Sequence, residues 1–419
     1  MATSNNAPQT GQVQPAPTQV AASEASFASS LRKMLRENIR DYGMYIALFA
    51  IWAFFTATTK GLFISSRNIS NLLNQTGYIA VIAVGMTLVI VIRHIDLSVG
   101  FLSGFLAALA AIAMMKGSWP VWVVIPLSLV VGMGAGAITA FLVAQLGIPA
   151  FVATLGGWLV YRGLLLLVLA GTGTIIIESD LFNDIGNGFV PDLPGLANFM
   201  PGVHKLTLLL GIVAIVLFII GQFRSRRQKM AYNFEVLPMN LFIVKLAFIA
   251  LLLAAITWVL AGYNGLSWTV VIMLVVVAIY HFMTTQTVLG RHIYAIGGNP
   301  EAAQLSGVNV KRITYLVFMS MGMLAALGGI MFASRLRSAT PQAGTLLELD
   351  AIAAAFIGGA SPAGGVGTIL GSLIGALVYM SLTNGMNLMQ TDIAIQYIVR
   401  GLVLALAVIF DVTTRRQSR

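Results

Sequence analysis

Long apolar runs dominate the chain, and its polar residues gather in short breaks between them. A run crosses the ~30 Å hydrocarbon core of a bilayer when about 20 mostly apolar residues rise ~1.5 Å each. Runs of this kind fall near 42–58, 76–92, 97–115, 120–146, 150–170, 206–222, 241–262, 267–283, 313–334 and 394–411. Two shorter or glycine-broken pieces, 348–360 and 366–383, lie between the last two. The pattern predicts an all-α fold, a polytopic transmembrane helical bundle of about 10–12 spans. Twelve crossings is the working count, and ten full spans plus a broken pair the cautious one.

Composition agrees with the pattern. Of 419 residues, 58% are hydrophobic and only 9% charged, too little charge to keep so much apolar surface dissolved. The net charge of +10 would suggest nucleic acid in a soluble protein. Here most basic residues sit in short loops, where they set topology, so no nucleic-acid partner is expected. With the N-terminus inside and one crossing per run, sixteen of the 24 Lys and Arg fall in the cytoplasm and six outside, with Arg162 and Arg400 inside spans. That asymmetry predicts both termini cytoplasmic, and it requires the pieces within 348–383 to enter and return. Cysteine is absent, which excludes disulfides, thiolate metal sites and cysteine nucleophiles. His94, His204, His281 and His292 lack metal-ligand spacing and read as structural or interfacial.

Residues 1–28 form an expected disordered tail, rich in Gln, Ala, Pro, Ser and Thr, with no apolar core of a cleavable signal. The first span then acts as the insertion signal. Phe27, Leu31, Leu35 and Ile39 recur four apart while Arg32, Lys33, Arg36 and Arg40 lie off that stripe. This predicts a cytoplasmic amphipathic helix over 29–41 lying on membrane lipid, with a solvated linker as the alternative. The transmembrane domain follows over 42–412, including a cytoplasmic loop at 284–312, and a basic tail closes the chain at 413–419. The loop 171–205 carries Glu178, Asp180, Asp184 and Asp192. It is the largest external feature, serving either gating and docking or plain connection.

Within the cytoplasmic loop, GGNPEAAQLSGVNVKR (297–312) writes start and stop signals around a very short helix. Asn299 suits the cap and Pro300 the first position. Glu301 suits the positive end of the dipole, and Gly307 a left-handed stop. A two-turn helix is marginal alone in water, so a partner surface is expected to hold it; a capped turn easing the chain between spans is the other reading. Asp96 stands where one span ends and the next begins, placed either to cap the helix starting at Leu97 or Ser98 and pair with Arg93, or to handle substrate or protons. Arg162 lies mid-span and must face the interior, in a buried pair or a polar pathway lining. Glu348 and Asp350 precede a run of glycines suited to discontinuous helices lining a route, or to close packing. A short echo joins Val99-Gly100-x3-Gly104 to Val366-Gly367-x3-Gly371 and hints at a parallel duplication. There is no G-x-x-x-x-G-K-[ST] stretch and no set of intramembrane carboxylates of the proton-pump kind.

Four segments carry a family resemblance: VGMTLVIVIRHIDLSVG (84–100), PAFVATLGGWLVYRG (149–163), GRHIYAIGGNPEAAQLSGVNVKR (290–312) and ELDAIAAAFIGGASPAGGVG (348–367). In these the chain resembles the membrane permeases of bacterial ABC sugar importers, the ribose, galactose, arabinose and xylose group, over about residues 42–412. The extra hydrophobic material at 206–262 and the endings NGMNLM (384–389) and QYIVRG (396–401) resemble the xylose branch. The resemblance implies a bacterial inner-membrane permease, itself no enzyme, that passes a monosaccharide, D-xylose, into the cytoplasm by alternating access. It implies a cytoplasmic ABC ATPase that uses ATP and Mg, with no cofactor in this chain. It further implies a periplasmic sugar-binding protein, docking near loop 171–205 and the 335–350 turn, and a second permease copy. Gly297, Gly298, Asn299, Pro300, Glu301, Ala302, Ala303, Ser306 and Gly307 then form the coupling helix in a cleft of the ATPase, with Glu301, Ala302, Ala303 and Gly307 on its characteristic positions. Candidate pathway residues are Asp96, Ser98, Arg162, Glu348, Asp350 and Asn384. The rivals are a proton-coupled secondary transporter, the same machinery carrying another sugar or a branched-chain amino acid, and a membrane scaffold.

Overall fold

A computed structural model describes residues 39–194, 200–234 and 236–417. The tail 1–28 and nearly all of the proposed amphipathic helix 29–41 lie outside the described residues. The described chain is almost wholly helical, and eight of its helices are long and apolar enough to cross a membrane. Helix α1 spans Ile39–Thr58, and a short 3-10 turn at Leu62–Ile64 leads into α2, Ser66–Val91. The apolar run starting at residue 76 is therefore only the second part of a 26-residue helix. Asn68, Asn71, Asn74 and Gln75 depress hydropathy over its first turns without breaking the helix, because carboxamides cost it little when they find partners. At ~1.5 Å per residue α2 is about 39 Å long, and most of its side chains from Asn68 to Val91 are buried. It is the central post of the bundle.

Next come α3 (Val99–Met115), α4 (Val121–Ala140, continued by a π turn at Phe141–Gln145) and α5 (Ala150–Leu169), with α3 packed against the other two. The loop after α5 is more than a connector. Its strand β1 (Ile175–Ile176) pairs antiparallel with β2 (Ser338–Ala339), Ile175 opposite Ala339. Its helix α6 (Asp180–Asn187) buries Phe182, Asn183 and Gly186. Ser334 fastens α6 by donating to Phe182 O at 2.6 Å and accepting from Gly186 N–H at 2.6 Å. Helices α7 (Lys205–Ala231) and α8 (Met239–Ala261) form a peripheral pair with few buried side chains. Their exposed Leu209, Leu210, Ile212, Val244 and Leu251 suit a lipid-facing surface. Helix α7 runs nine residues past the apolar run that ends at 222 and carries Arg224, Arg226, Arg227 and Lys229.

The chain continues through α9 (Trp268–Gln286), α10 (Val288–Gly298), α11 (Pro300–Leu305) and α12 (Val310–Leu336). After β2 the backbone is non-helical to residue 346, and α13 (Leu347–Ile357), a loop and α14 (Ile369–Leu388) follow. Helix α15 spans Ile393–Gln417, so residues 413–417 extend a helix rather than form a separate tail. The 348–360 piece is no full span. At eleven residues α13 is about 16 Å long, half a hydrocarbon core. Non-helical chain from β2 supplies the rest, dipping until Ala343 and Gly344 press their carbonyls against Gly104 and Gly100 of α3, where a Cβ would collide. Residue 338 lies beside the end of α12, whose Arg335 bonds Asn71 near the start of α2, whereas Gly365 bonds Val91 at the other end. Segment 338–365 thus crosses the bundle once as loop plus half-helix, an arrangement tolerated at membrane depth only inside protein. The Gly100/Gly104 and Gly367/Gly371 echo reflects a shared demand at its second glycine: Gly371 faces Gly358 O as Gly104 faces Ala343 O. Close packing alone is enough for the match.

Candidate functional site

At the C-terminal end of α2, three loops remote in sequence are joined through their main chains. Gly365 N–H donates to Val91 O at 2.8 Å. Gly297 lies against both groups, and a Cβ there would strike Val91 O and Gly365 N. Arg93, held at a left-handed φ of 67°, donates from Nε to Gly297 O at 2.8 Å and from its Nη2 to Gly298 O. These are carbonyls at the end of α10, the negative pole of its dipole, where a guanidinium is favoured. Tyr294 of α10 donates to Gly367 O at 2.6 Å. The pairing of Asp96 with Arg93 is therefore not formed: the left-handed turn at Arg93 aims its side chain at Gly297. Asp96 instead accepts from Ser98 N–H at 2.9 Å and Ser98 Oγ at 2.6 Å, bracing Ser98 as the residue before α3.

From this joint α11 projects as a six-residue helix. Asn299 Oδ1 accepts from Ala302 N–H at 3.0 Å, Pro300 opens the first turn, and Gly307 stops it at φ +85°. Ala303 is the one buried residue of α11. Glu301, Ala302 and Ser306 are exposed, and Leu305 is 90% exposed. An apolar side chain so displayed on a short helix suits a partner's pocket better than water. Leu305 lies outside the coupling residues expected from the sequence, although its place between the polar Gln304 and Ser306 was the available signal.

The second polar centre surrounds the start of α13. Trp158 Nε1 of α5 donates to Glu348 Oε1 at 3.0 Å, and Arg162, one turn later, donates to Pro341 O and lies 4.9 Å over the Phe101 ring. Arg162 thus serves the non-helical part of the 338–365 crossing, and carboxylates in the first turn of α13 suit the positive end of its dipole. Asp350 is bridged twice by Arg400 Nη2 of α15, at 2.7 and 2.8 Å, and accepts from Tyr379 Oη of α14 at 2.8 Å. Arg400 Nε also donates to Tyr379 Oη at 3.0 Å. One carboxylate so ties three helices together, its charge matched within the bundle.

Asn384 lies elsewhere, near the start of α2, where its Oδ1 accepts from Asn68 Nδ2 at 2.9 Å. The six pathway candidates therefore occupy three places: Asp96 and Ser98 at the joint, Arg162, Glu348 and Asp350 around α13, and Asn384 at the opposite end. Among the described residues no cluster of three or more His, Asp or Glu has the arrangement of a metal site.

A helical bundle crossed by a loop plus half-helix, with a buried Asp350–Arg400 pair, suits a multi-pass inner-membrane transport protein, a permease. The family described as "Branched-chain amino acid transport system / permease component" matches residues 68–408, and the chain belongs to it. It is 39% identical over 381 residues to the xylose transport system permease protein XylH of Escherichia coli K12, covering 91% of this chain and 94% of that one. The corresponding Haemophilus influenzae protein is 38% identical over 385 residues, 92% of this chain and 99% of its own. The ribose import permease protein RbsC of Haemophilus influenzae is 35% identical over 370 residues, 88% and 91% of the two chains. No solved structure matches.

Proposed function

We propose that the chain is the membrane subunit of an ATP-driven, binding-protein-dependent importer, and that it passes a monosaccharide, D-xylose, into the cytoplasm by alternating access. The observation that carries this reading is α11: capped at both ends, rooted by Ala303 alone, and offering Glu301 and Leu305 to a partner. In this reading a cytoplasmic ABC ATPase, using ATP and Mg, receives residues 297–307 in a cleft. Its movement enters at Gly297 and spreads through Arg93 to α2 and through Gly365 to the α13–α14 hairpin. Both ends of the described chain face the cytoplasm, and two copies of the chain pair over the ATPase. A periplasmic sugar-binding protein delivers cargo to the opposite face, by loop 171–205 and the turn after α12. The xylose permease relatives favour a pentose, and the ribose permease relatives make another pentose the second choice.

Reconstitution with the ATPase and binding protein tests the reading. Glu301→Lys or Gly307→Pro is expected to abolish sugar-stimulated ATP hydrolysis while the permease stays folded. Sugar accumulation by the chain without the ATPase, driven by a proton gradient, overturns it.

A further inference from the structure

At the start of α2, opposite the joint, lies a cleft of about 620 Å³ whose wall includes Asn68, Asn71, Asn74, Asn187, Tyr263 and Arg335. That volume falls within the ~300–1,000 Å³ of small-molecule sites. Four carboxamides in one cleft are unusual for a packing surface, because each must find partners for both a donor and an acceptor. The protein satisfies them only in part. Asn71 Oδ1 accepts from Arg335 Nη2 at 2.6 Å, Asn74 Oδ1 accepts from Ser267 Oγ, and Asn187 Nδ2 donates to Ser334 O at 2.7 Å. Among the described residues the amide N–H groups of Asn71 and Asn74 and the Oδ1 of Asn187 have no protein partner. Tyr263, 39% exposed and packed edge-on against Phe189, supplies an aromatic rim.

We infer that this cleft is a weak binding site of the permease itself for a neutral polyhydroxylated ligand, a monosaccharide. Sugar hydroxyls donate and accept at once, as free carboxamide edges do, and C–H faces of a sugar ring suit an aromatic rim. Arg67 and Arg335 also line the cleft, and Arg335 gives only one of its N–H groups to Asn71, so inorganic phosphate is the competing ligand that the test must separate from a sugar. A polar stripe leads inward from the cleft. Gln75, one turn past Asn71 on α2, has a buried Oε1 without a partner among the described residues. Tyr78, a further turn on, lies within electrostatic reach of Arg335, Asp350 and Arg400. Polar side chains thus continue along α2 from the wall of the cleft toward the charged centre at α13. The inference rests on the proposed sugar cargo.

The chain contains no cysteine, so Asn71→Cys and, separately, the half-buried Asn187→Cys each supply one thiol. Purified full-length chain in nanodiscs is treated with a small charged methanethiosulfonate, with and without D-xylose or D-ribose. A site with Kd of about 10 mM predicts labelling about sixfold slower at about 50 mM sugar, and no slowing by L-leucine or inorganic phosphate. Equal rates with and without sugar at both positions, or slowing by phosphate instead, overturn the inference. Uptake by the reconstituted assembly separates the two readings: sugar uptake with unprotected thiols removes the cleft alone, whereas absent sugar uptake removes the cargo.

Discussion

Arg93 grips Gly297: its Nε gives a hydrogen bond to the carbonyl of that glycine at 2.8 Å across 204 residues of sequence. The contact binds the turn after α2 to the root of α11. Hydrogen bonds from a charged donor are worth about 1.5–3 kcal/mol, less where solvent reaches them, and Arg93 is exposed. Arg93→Ala is therefore expected to cost about 1–2 kcal/mol of stability and to weaken sugar-stimulated ATP hydrolysis several-fold. Thermal melts and ATPase assays of the reconstituted assembly check this; Arg93→Lys, which lacks the fork, restores the first more than the second.

Neighbouring glycines offer a sharp contrast. Gly297→Ala drives a methyl group into the carbonyl of Val91 and the amide of Gly365, while Gly298→Ala meets nothing within 4 Å. Overpacking costs about 1–3 kcal/mol, and a wall of main chain, which cannot turn aside, puts this site at the upper end. Gly297→Ala is expected to lower expression and melting temperature sharply, and Gly298→Ala to behave as wild type. Equal tolerance of both would show that the joint yields.

Leu305 gives a prediction with no folding component. At 90% exposure its replacement by Ser or Asp leaves the bundle intact. In the proposed ATPase contact, losing this side chain is expected to cost about 2 kcal/mol of binding. Co-purification of the ATPase subunit with Leu305→Asp is expected to fall about thirtyfold, with an unchanged melting temperature for the permease alone.

Asp350 and Arg400 form a matched buried pair, so breaking it from one side strands a charge. Asp350→Ala is expected to destabilise the protein by about 3–5 kcal/mol. Asp350→Asn with Arg400→Gln should cost less than the sum of the single changes. A double-mutant cycle by thermal unfolding in detergent reads the coupling.

The loop that follows α5 carries a pH signature. Desolvation of the Asp192 carboxyl works against ionisation, but N–H groups of Leu206, Leu193 and Lys205 and the nearby His204 outweigh it and pull its pKa down to about 2. A depressed folded pKa stabilises above the unfolded value of ~3.9, and that contribution is lost as pH falls from there toward 2. Hydrogen exchange at Leu206 and Thr207 is expected to show constant opening free energy between about pH 5 and 8 and weaker protection below about pH 4. Asp192→Asn should abolish that loss.

Which of these features the residues announced follows from how local the interactions are. The α11 caps were legible because Asn299, Pro300 and Gly307 act within one turn of chain. The polytopic helical class and most span positions were legible for the same reason, since lipid forces each crossing to satisfy its own backbone, but the expected ten to twelve spans exceed the eight helices of the described residues that are long and apolar enough to cross. Arg93 was misjudged because its true partners, two carbonyls more than 200 residues away, carry no side-chain signal. The first ten residues of α2 escaped because a polar face lowers hydropathy just where the helix lines a cleft. Asn68, Asn71 and Asn74, spaced by three, were the available clue to that face. Asp350 was singled out, but its partners Tyr379 and Arg400 sit on helices whose neighbourhood no spacing rule fixes.

The junction of Val91, Gly297 and Gly365 is built from atoms that every amino acid possesses. Substitutions elsewhere can adjust a side-chain contact by small degrees, but here an exchange either fits beneath a van der Waals radius or forces the strands of the knot apart. Evolution of a new cargo or a faster cycle in such a protein is thus channelled away from the knot, toward the walls of the route and the surfaces that meet other subunits.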